Sequence, residues 1–254
     1  MKYIMIIAAF LFSTTAHAAS IEEIAPFLDT SMNTEPVPIS STITIIEQKV
    51  RDAAVKVVKA GARGGHGSGA LVNYKGLTLV FTAQHVADGI LGGRYYVFQG
   101  TELRECILVY SDELHDVAVL YVPQEFQFAK PLKFSPRKNI IDVGEEITYS
   151  GYPSDHRLMT FRGRVAGYEI LTDAGMQILL HTHGWFGCSG SLVYDSTGDI
   201  IGVLWGIDVE HVHSTGYNQA IGNLMWVSPI QNLHMDLALR MLCEAKSNKH
   251  RACR

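Results

Sequence analysis

Apolar residues along this chain fall mostly into short runs cut by turn signals. From Gly64 onward the runs are 69–72, 77–82, 94–98, 103–110, 117–122, 146–150, 159–168, 176–181, 191–194, 200–205 and 224–227. Clusters of Gly, Asp, Asn and Ser at 73–76, 195–198 and 214–216 separate several of them. Short strands at this spacing predict an antiparallel sandwich or barrel, and they argue against α/β alternation. Upstream, Ile46, Val50, Ala53 and Val57 recur at helical spacing, while 54–60 also reads as a strand. The pattern predicts a short helix running into a first strand.

Two other stretches depart from the strand pattern. Residues 131–139 carry Pro, Lys and Asn and are the expected link between two halves of the fold. Near the end, Ser228 is the expected N-cap, Pro229 the first helical residue and Gln231 the capping-box partner. Ile230, Leu233, Leu237 and Met241 then form one apolar stripe, expected to pack on the second half. This divides the chain into residues 19–45 as leader or linker, 46–130 and 131–243 as two halves, and 244–254 as a basic tail.

The first eighteen residues change the picture of where the protein works. Met1-Lys2 is a short positive start, an apolar run extends from Tyr3 to Phe12, and Ala16-His17-Ala18 is an A-x-A cleavage site. These are the marks of a secretory signal peptide. The run is about half the ~20 residues needed to cross a bilayer, so no stable membrane insertion is expected after cleavage. The expected location is periplasmic or secreted. Export also puts Cys106, Cys188, Cys243 and Cys253 in an oxidising compartment. Four cysteines permit three full pairings, and Cys243 with Cys253 would close the smallest loop. The net charge of −4 gives no footprint for nucleic acid.

Candidate chemistry sits at strand ends. His85 follows an apolar strand in TLVFTAQHVADG, Asp116 opens LHDVAVLYV, and Ser189 lies in GCSGSLV. A nucleophilic serine needs a base, a group that orients the base, and donors for the oxyanion. His85 and Asp116 supply the first two. Gly187 lets its own amide and that of Ser189 point into one pocket as the donors. Taken singly, each has an ordinary alternative: a surface histidine, a turn acid, a hairpin glycine.

TAQHV, HDVAVL and GCSGSLV, in that order, resemble the motifs of the trypsin/chymotrypsin-like serine proteases. The short intervals, 31 residues from His85 to Asp116 and 73 from Asp116 to Ser189, are nearest the bacterial HtrA/Deg and glutamyl-endopeptidase branches. The resemblance spans roughly 53–243. It implies an all-β fold of two six-stranded antiparallel β-barrels with a C-terminal α-helix and a catalytic cleft between the barrels. It implies His85 as general base, Asp116 as its orienting acid, Ser189 as nucleophile, and the Gly187 and Ser189 amides as oxyanion hole. Leu204, Trp205 and Gly206 match the segment that pairs with a substrate backbone, and His183 is a candidate wall of the specificity pocket, with Gly222 beside it. The expected activity is peptide-bond hydrolysis by a serine endopeptidase without cofactor. The expected partner is a protein or peptide substrate, and a monomer is the favoured state.

Departures from the family pattern narrow these implications. Cys188 stands where many members have Asp or Asn, which gives no support to activation by a freed N-terminus. No PDZ domain is expected after the C-terminal helix. Cys188 as nucleophile does not fit, because the glycine frame centres on Ser189; it is expected as a free thiol or as a disulfide partner of Cys106. His181-x-His183 and His211-x-His213 each place two imidazoles on one strand face, but no carboxylate completes a convincing ligand set, and no metal is expected. A G-x-S-x-G hydrolase elbow is excluded by Ser191 and by the strand that follows it. The remaining alternative is a trypsin-fold binding module without catalysis.

Overall fold

The computed structural model describes residues 39–59, 65–154, 156–212 and 217–245. The expected signal peptide, residues 19–38 of the leader, Cys253 and most of the basic tail lie outside them, as do the side chains of His211 and His213. Among the described residues no helix is long and apolar enough to cross a membrane.

The chain opens with helix α1, Ile45–Ala53. Thr44 caps it: its hydroxyl accepts from Glu47 N at 3.1 Å, and the Glu47 carboxylate accepts from Thr44 N at 2.6 Å. This reciprocal capping box satisfies two amides that the first turn would otherwise leave open. The helix runs directly into strand β1, Ala54–Lys59, as the ambiguous periodicity predicts. Glu47 is buried and pairs with Arg162, while Arg51 donates to Leu158 O at 3.1 Å. The helix therefore ties the start of the first barrel to the second.

β1 is joined by β2 (Gly67–Tyr74), β3 (Leu77–Thr82), β4 (Arg94–Gln99), β5 (Glu102–Asp112) and β6 (Val117–Tyr121). Their order is β1-β4-β5-β6-β3-β2, and β2 returns to β1 to close the barrel. A two-residue strand β7, Leu132–Lys133, adds parallel to β2, and Pro136 then bridges Ile200 in the second barrel. That barrel comprises β8 (Glu146–Gly151), β9 (Met159–Leu171), β10 (Gly175–Thr182), β11 (Leu192–Asp195), β12 (Ile200–Val212) and β13 (Tyr217–Pro229). It closes in the order β10-β13-β12-β11-β8-β9. Two six-stranded antiparallel barrels are thus present. The β12–β13 hairpin is several residues longer on each arm than its apolar runs indicate.

Strand periodicity explains the unbroken apolar runs. Successive side chains of a strand point to opposite faces. In β3, Leu77, Leu79 and Phe81 enter a core between the barrels, whereas Val80 enters the first barrel's interior. β6 divides likewise: Val117, Val119 and Tyr121 on one side, Ala118 and Leu120 on the other. From the second barrel, Leu192, Tyr194, Ile200 and Val203 face the shared core, while Val193, Ile201 and Leu204 face inward. A strand buried on both faces has no polar alternation to show. The shared core locks the two barrels together beside the three motif loops.

The C-terminal helix corrects the sequence expectation. β13 continues through Pro229, a 3₁₀ turn spans Ile230–Asn232, and helix α2 runs over Met235–Ala245. Ser228 is not an N-cap: it is fully buried and lies opposite Val203 in the β12–β13 ladder. The intervening 3₁₀ turn shifts the apolar face, so that Met235, Ala238 and Leu242 are buried, while Leu237 is exposed. The helix packs against β5 of the first barrel and the shared core, not against the second half alone.

Candidate active site

Register brings His85 and Asp116 together. β3 and β6 pair antiparallel with Thr82 opposite Ala118. The chain leaving β3 therefore lies beside the chain entering β6. His85 is three residues beyond Thr82, and Asp116 is one residue before β6. The Asp116 carboxylate accepts from His85 N at 2.8 Å and from His85 Nδ1 at 2.6 Å. The second bond fixes the proton on Nδ1 and leaves Nε2 as the ring nitrogen with a lone pair.

Asp116 adopts φ +53°, a left-handed conformation uncommon outside glycine. A second carboxylate builds the turn that holds it. Asp112 accepts from the amides of Leu114 (3.1 Å) and His115 (3.2 Å), from the His115 ring (2.8 Å) and from the Tyr110 hydroxyl (3.3 Å). Burial alone would raise the Asp112 pKa; the His115 ring and amide outweigh it and hold the carboxyl below its usual range.

Ser189 reaches the same place from the loop between β10 and β11. Its carbonyl accepts from Ser68 N on β2 at 2.7 Å. A methyl group built at Gly67 would lie 2.9 Å from Ser189 O and 2.3 Å from the side chain of Val86, the residue after His85. A methyl at Gly190 (φ +92°) would lie 2.3 Å from Thr82 Oγ1 and 2.9 Å from Ala83 N. Only glycine admits this approach and this backbone. The Ser189 loop is thus pressed against the end of β3, two residues from His85.

The Ser189 hydroxyl donates to Trp205 O at 3.1 Å. Among the described residues no hydrogen bond joins it to His85, so the three side chains do not form a continuous chain of bonds. The Gly187 and Ser189 amides donate to no group of the described residues, whereas those of Cys188 and Gly190 donate to Trp185 O (3.0 Å) and Leu204 O (2.6 Å). The two amides expected to face an oxyanion are the two left open.

The substrate-side expectations divide. Leu204 is fully buried, its N–H donates to Ser191 O at 2.9 Å and its carbonyl holds Gly190. It has no backbone group to offer a peptide, which corrects its expected role. Trp205 sits at a bulge in the β12–β13 register, between the pairs Leu204–Val227 and Gly206–Trp226, and is not matched to β13. His183 is exposed; its ring lies 4.0 Å from a methyl position at Gly222, next to the exposed Trp185 ring at 3.9 Å. The Gly184 amide donates to Gly222 O at 3.1 Å, closing these residues into one wall. Trp185 is a wall residue that the sequence pattern did not single out.

Cys106 and Cys188 are free and buried in separate barrel cores, so no disulfide joins them. Burial pushes both thiols up. Cys243 is disulfide-bonded. Among the described residues no three His, Cys, Asp or Glu gather in metal-binding geometry.

The family model for the trypsin-like peptidase domain matches residues 67–203, more than half of the chain and the span that holds all three motif residues. The chain belongs to this family. Among solved structures, the inactive form of the Rv3671c protease has a TM-score of 0.57 at 19% identity, over 77% of this chain and 94% of that one. The active form, from M. tuberculosis, gives 0.56 at 18% identity, over 78% and 89%. A serine-to-alanine mutant of the same protein in the inactive form gives 0.55 at 17% identity, over 85% and 99%. At these identities the likeness is one of fold, and it favours neither the active nor the inactive form. No curated protein sequence matches the chain.

Proposed function

We propose that this chain of the trypsin-like peptidase family is an exported serine endopeptidase, with His85, Asp116 and Ser189 as its catalytic triad. The observation that carries the proposal is the pair of open amides, Gly187 N and Ser189 N, beside the Ser189 hydroxyl, alternating with the occupied amides of Cys188 and Gly190.

In the proposed reaction a peptide adds as a strand along Trp205 and Gly206. The Ser189 side chain turns about χ1 from the Trp205 carbonyl toward His85 Nε2. That carbonyl then becomes available to a substrate N–H. Ser189 Oγ attacks the scissile carbonyl carbon as its proton passes to Nε2. The negative oxygen is received by the two amides; one such donor contributes about 3 kcal/mol to transition-state stabilisation in comparable sites. Asp116 stabilises the imidazolium through Nδ1. His85 then protonates the leaving amine, and water repeats the sequence on the acyl-enzyme, releasing the acid and restoring Ser189.

A second reading, a trypsin-fold binding module without turnover, draws on the Ser189–Trp205 hydrogen bond, which keeps the hydroxyl off the imidazole. Incubating the mature protein with a proteome-derived peptide library and sequencing the products separates the two. The hydrolytic reading expects new termini that vanish with Ser189→Ala; no cleavage by the native protein supports the binding module.

A further inference from the structure

Ser68 lies on β2 of the first barrel, outside every motif singled out from the sequence, and it is fully buried. All of its polar groups act on the site. Ser68 N donates to Ser189 O at 2.7 Å, and its carbonyl accepts from Thr82 Oγ1 at 2.7 Å. Its hydroxyl donates to Gly187 O at 2.6 Å and accepts from Tyr152 N at 2.8 Å. A serine hydroxyl has one proton. Because Tyr152 N is itself a donor, that proton has a single destination, the Gly187 carbonyl.

The loop around Ser189 alternates two kinds of peptide plane. In a trans peptide the C=O and N–H point in opposite directions. The planes 187–188 and 189–190 are tied at both ends: Gly187 O to Ser68 Oγ with Cys188 N to Trp185 O, and Ser189 O to Ser68 N with Gly190 N to Leu204 O. The planes 186–187 and 188–189 are tied only through their carbonyls, Phe186 O to Ser154 N (2.6 Å) and Cys188 O to Ser191 N (3.0 Å). Their N–H groups, those of Gly187 and Ser189, are thereby turned the other way and left open. Ser68 grips both of the fully tied planes, one with its side chain and one with its backbone.

We infer that Ser68 is a positioning residue for the oxyanion site: its hydroxyl orients the Gly187–Cys188 peptide and so keeps the Gly187 amide aimed at the reacting oxygen. The inference rests on the proposed hydrolytic reading of Ser189. Without the Ser68 hydroxyl, Gly187 O loses its donor, and Gly187, at φ +95°, has the freedom to reorient. This loop is then assembled by the first barrel itself, through a group present in the chain before any cleavage.

The test is the rate of labelling of Ser189 by an alkyl fluorophosphonate, whose phosphoryl oxygen must enter the oxyanion site, resolved into a maximal rate and a half-saturating concentration. Ser68→Ala removes the hydroxyl; Ser68→Cys keeps a weaker donor of nearly the same shape. The expected result is a fall in the maximal rate of about 10–100-fold for Ser68→Ala and a smaller fall for Ser68→Cys, with half-saturation little changed. A structural role alone would lower thermal stability and leave the maximal rate of the folded protein intact. If Ser68→Ala does not fold, Ser68→Cys decides: labelling at the native rate overturns the inference. A native protein that labels, beside a folded Ser68→Ala that labels as fast, removes this inference only. A native protein that takes no label removes the hydrolytic reading and this one with it.

Discussion

Asp116 holds His85 at two points, through the backbone amide at 2.8 Å and through ring Nδ1 at 2.6 Å. The imidazole is thus fixed in both position and tautomer by one carboxylate. Asp116→Asn should keep the first contact and lose the second, since an amide can present an N–H to Nδ1 and select the wrong tautomer. Asn also tolerates the left-handed backbone of position 116. The expected outcome is a fall in kcat on the order of 10⁴ with an unchanged Tm; steady-state kinetics on a cleaved peptide, with a thermal melt, check it.

Gly190 makes the closest approach in the site, with a methyl position only 2.1 Å from Ser68 O. Gly190→Ala combines a strained φ with overpacking and should cost about 3–5 kcal/mol of stability. Gly92 is a matched control: its φ is +86°, but nothing lies within 4 Å of its methyl position. Gly92→Ala should cost about 1 kcal/mol. Denaturant midpoints of the two variants measure the difference, and equal losses would remove the claim that the Ser189 loop is pressed against β2 and β3.

Glu47 gives the pH dependence of stability. Hydrogen bonding from Arg162 lowers its pKa from 4.5 to about 2. A carboxyl depressed in the fold stabilises fully above its unfolded pKa and loses that contribution as pH falls toward the folded one. Glu47→Gln should therefore lower Tm by about 2–4 °C near pH 7. The gap from the native protein should narrow between about pH 4.5 and 2. Melts across that range check both the size and the direction.

The cysteines give a chemical test of the two cores. Cys106 and Cys188 are free, buried and held in the thiol form by burial. Neither should react with a small disulfide reagent in the native protein, because the thiolate is the reactive species. Both should react once the protein is unfolded without reductant. Rapid reaction of Cys188 in the native state would contradict the packing behind Ser189.

Much of the fold is legible in the sequence for a physical reason. Strands such as β3 and β6 are buried on both faces, so their apolar runs stand out between turn residues. The two barrels also place His85, Asp116 and Ser189 at strand ends, where a motif shows. Local signals mislead where a distant partner decides the outcome. Ser228, Pro229 and Gln231 carry a helix-start pattern, yet pairing with Val203 keeps Ser228 in a strand and moves the helix to Met235. Leu204 and Trp205 are neighbours of equal promise, but the Ser189 loop takes both backbone groups of Leu204 and meets Trp205 only through the Ser189 hydroxyl on its carbonyl. The role of Ser68 is not legible, because its bond to Gly187 spans 119 residues and depends on how strand β2 meets the Ser189 loop. The closely spaced Gly67 and Gly69 around it are the one local sign that another backbone comes near.

The central claim is that Ser189 is a nucleophile served by His85 and by two open amides. Its most direct measurement is covalent labelling of the mature protein with a fluorophosphonate, followed by peptide mass mapping. The account expects one adduct per chain, on Ser189, abolished by Ser189→Ala and strongly slowed by His85→Ala. An unlabelled native protein, or an adduct on any other residue, would contradict it.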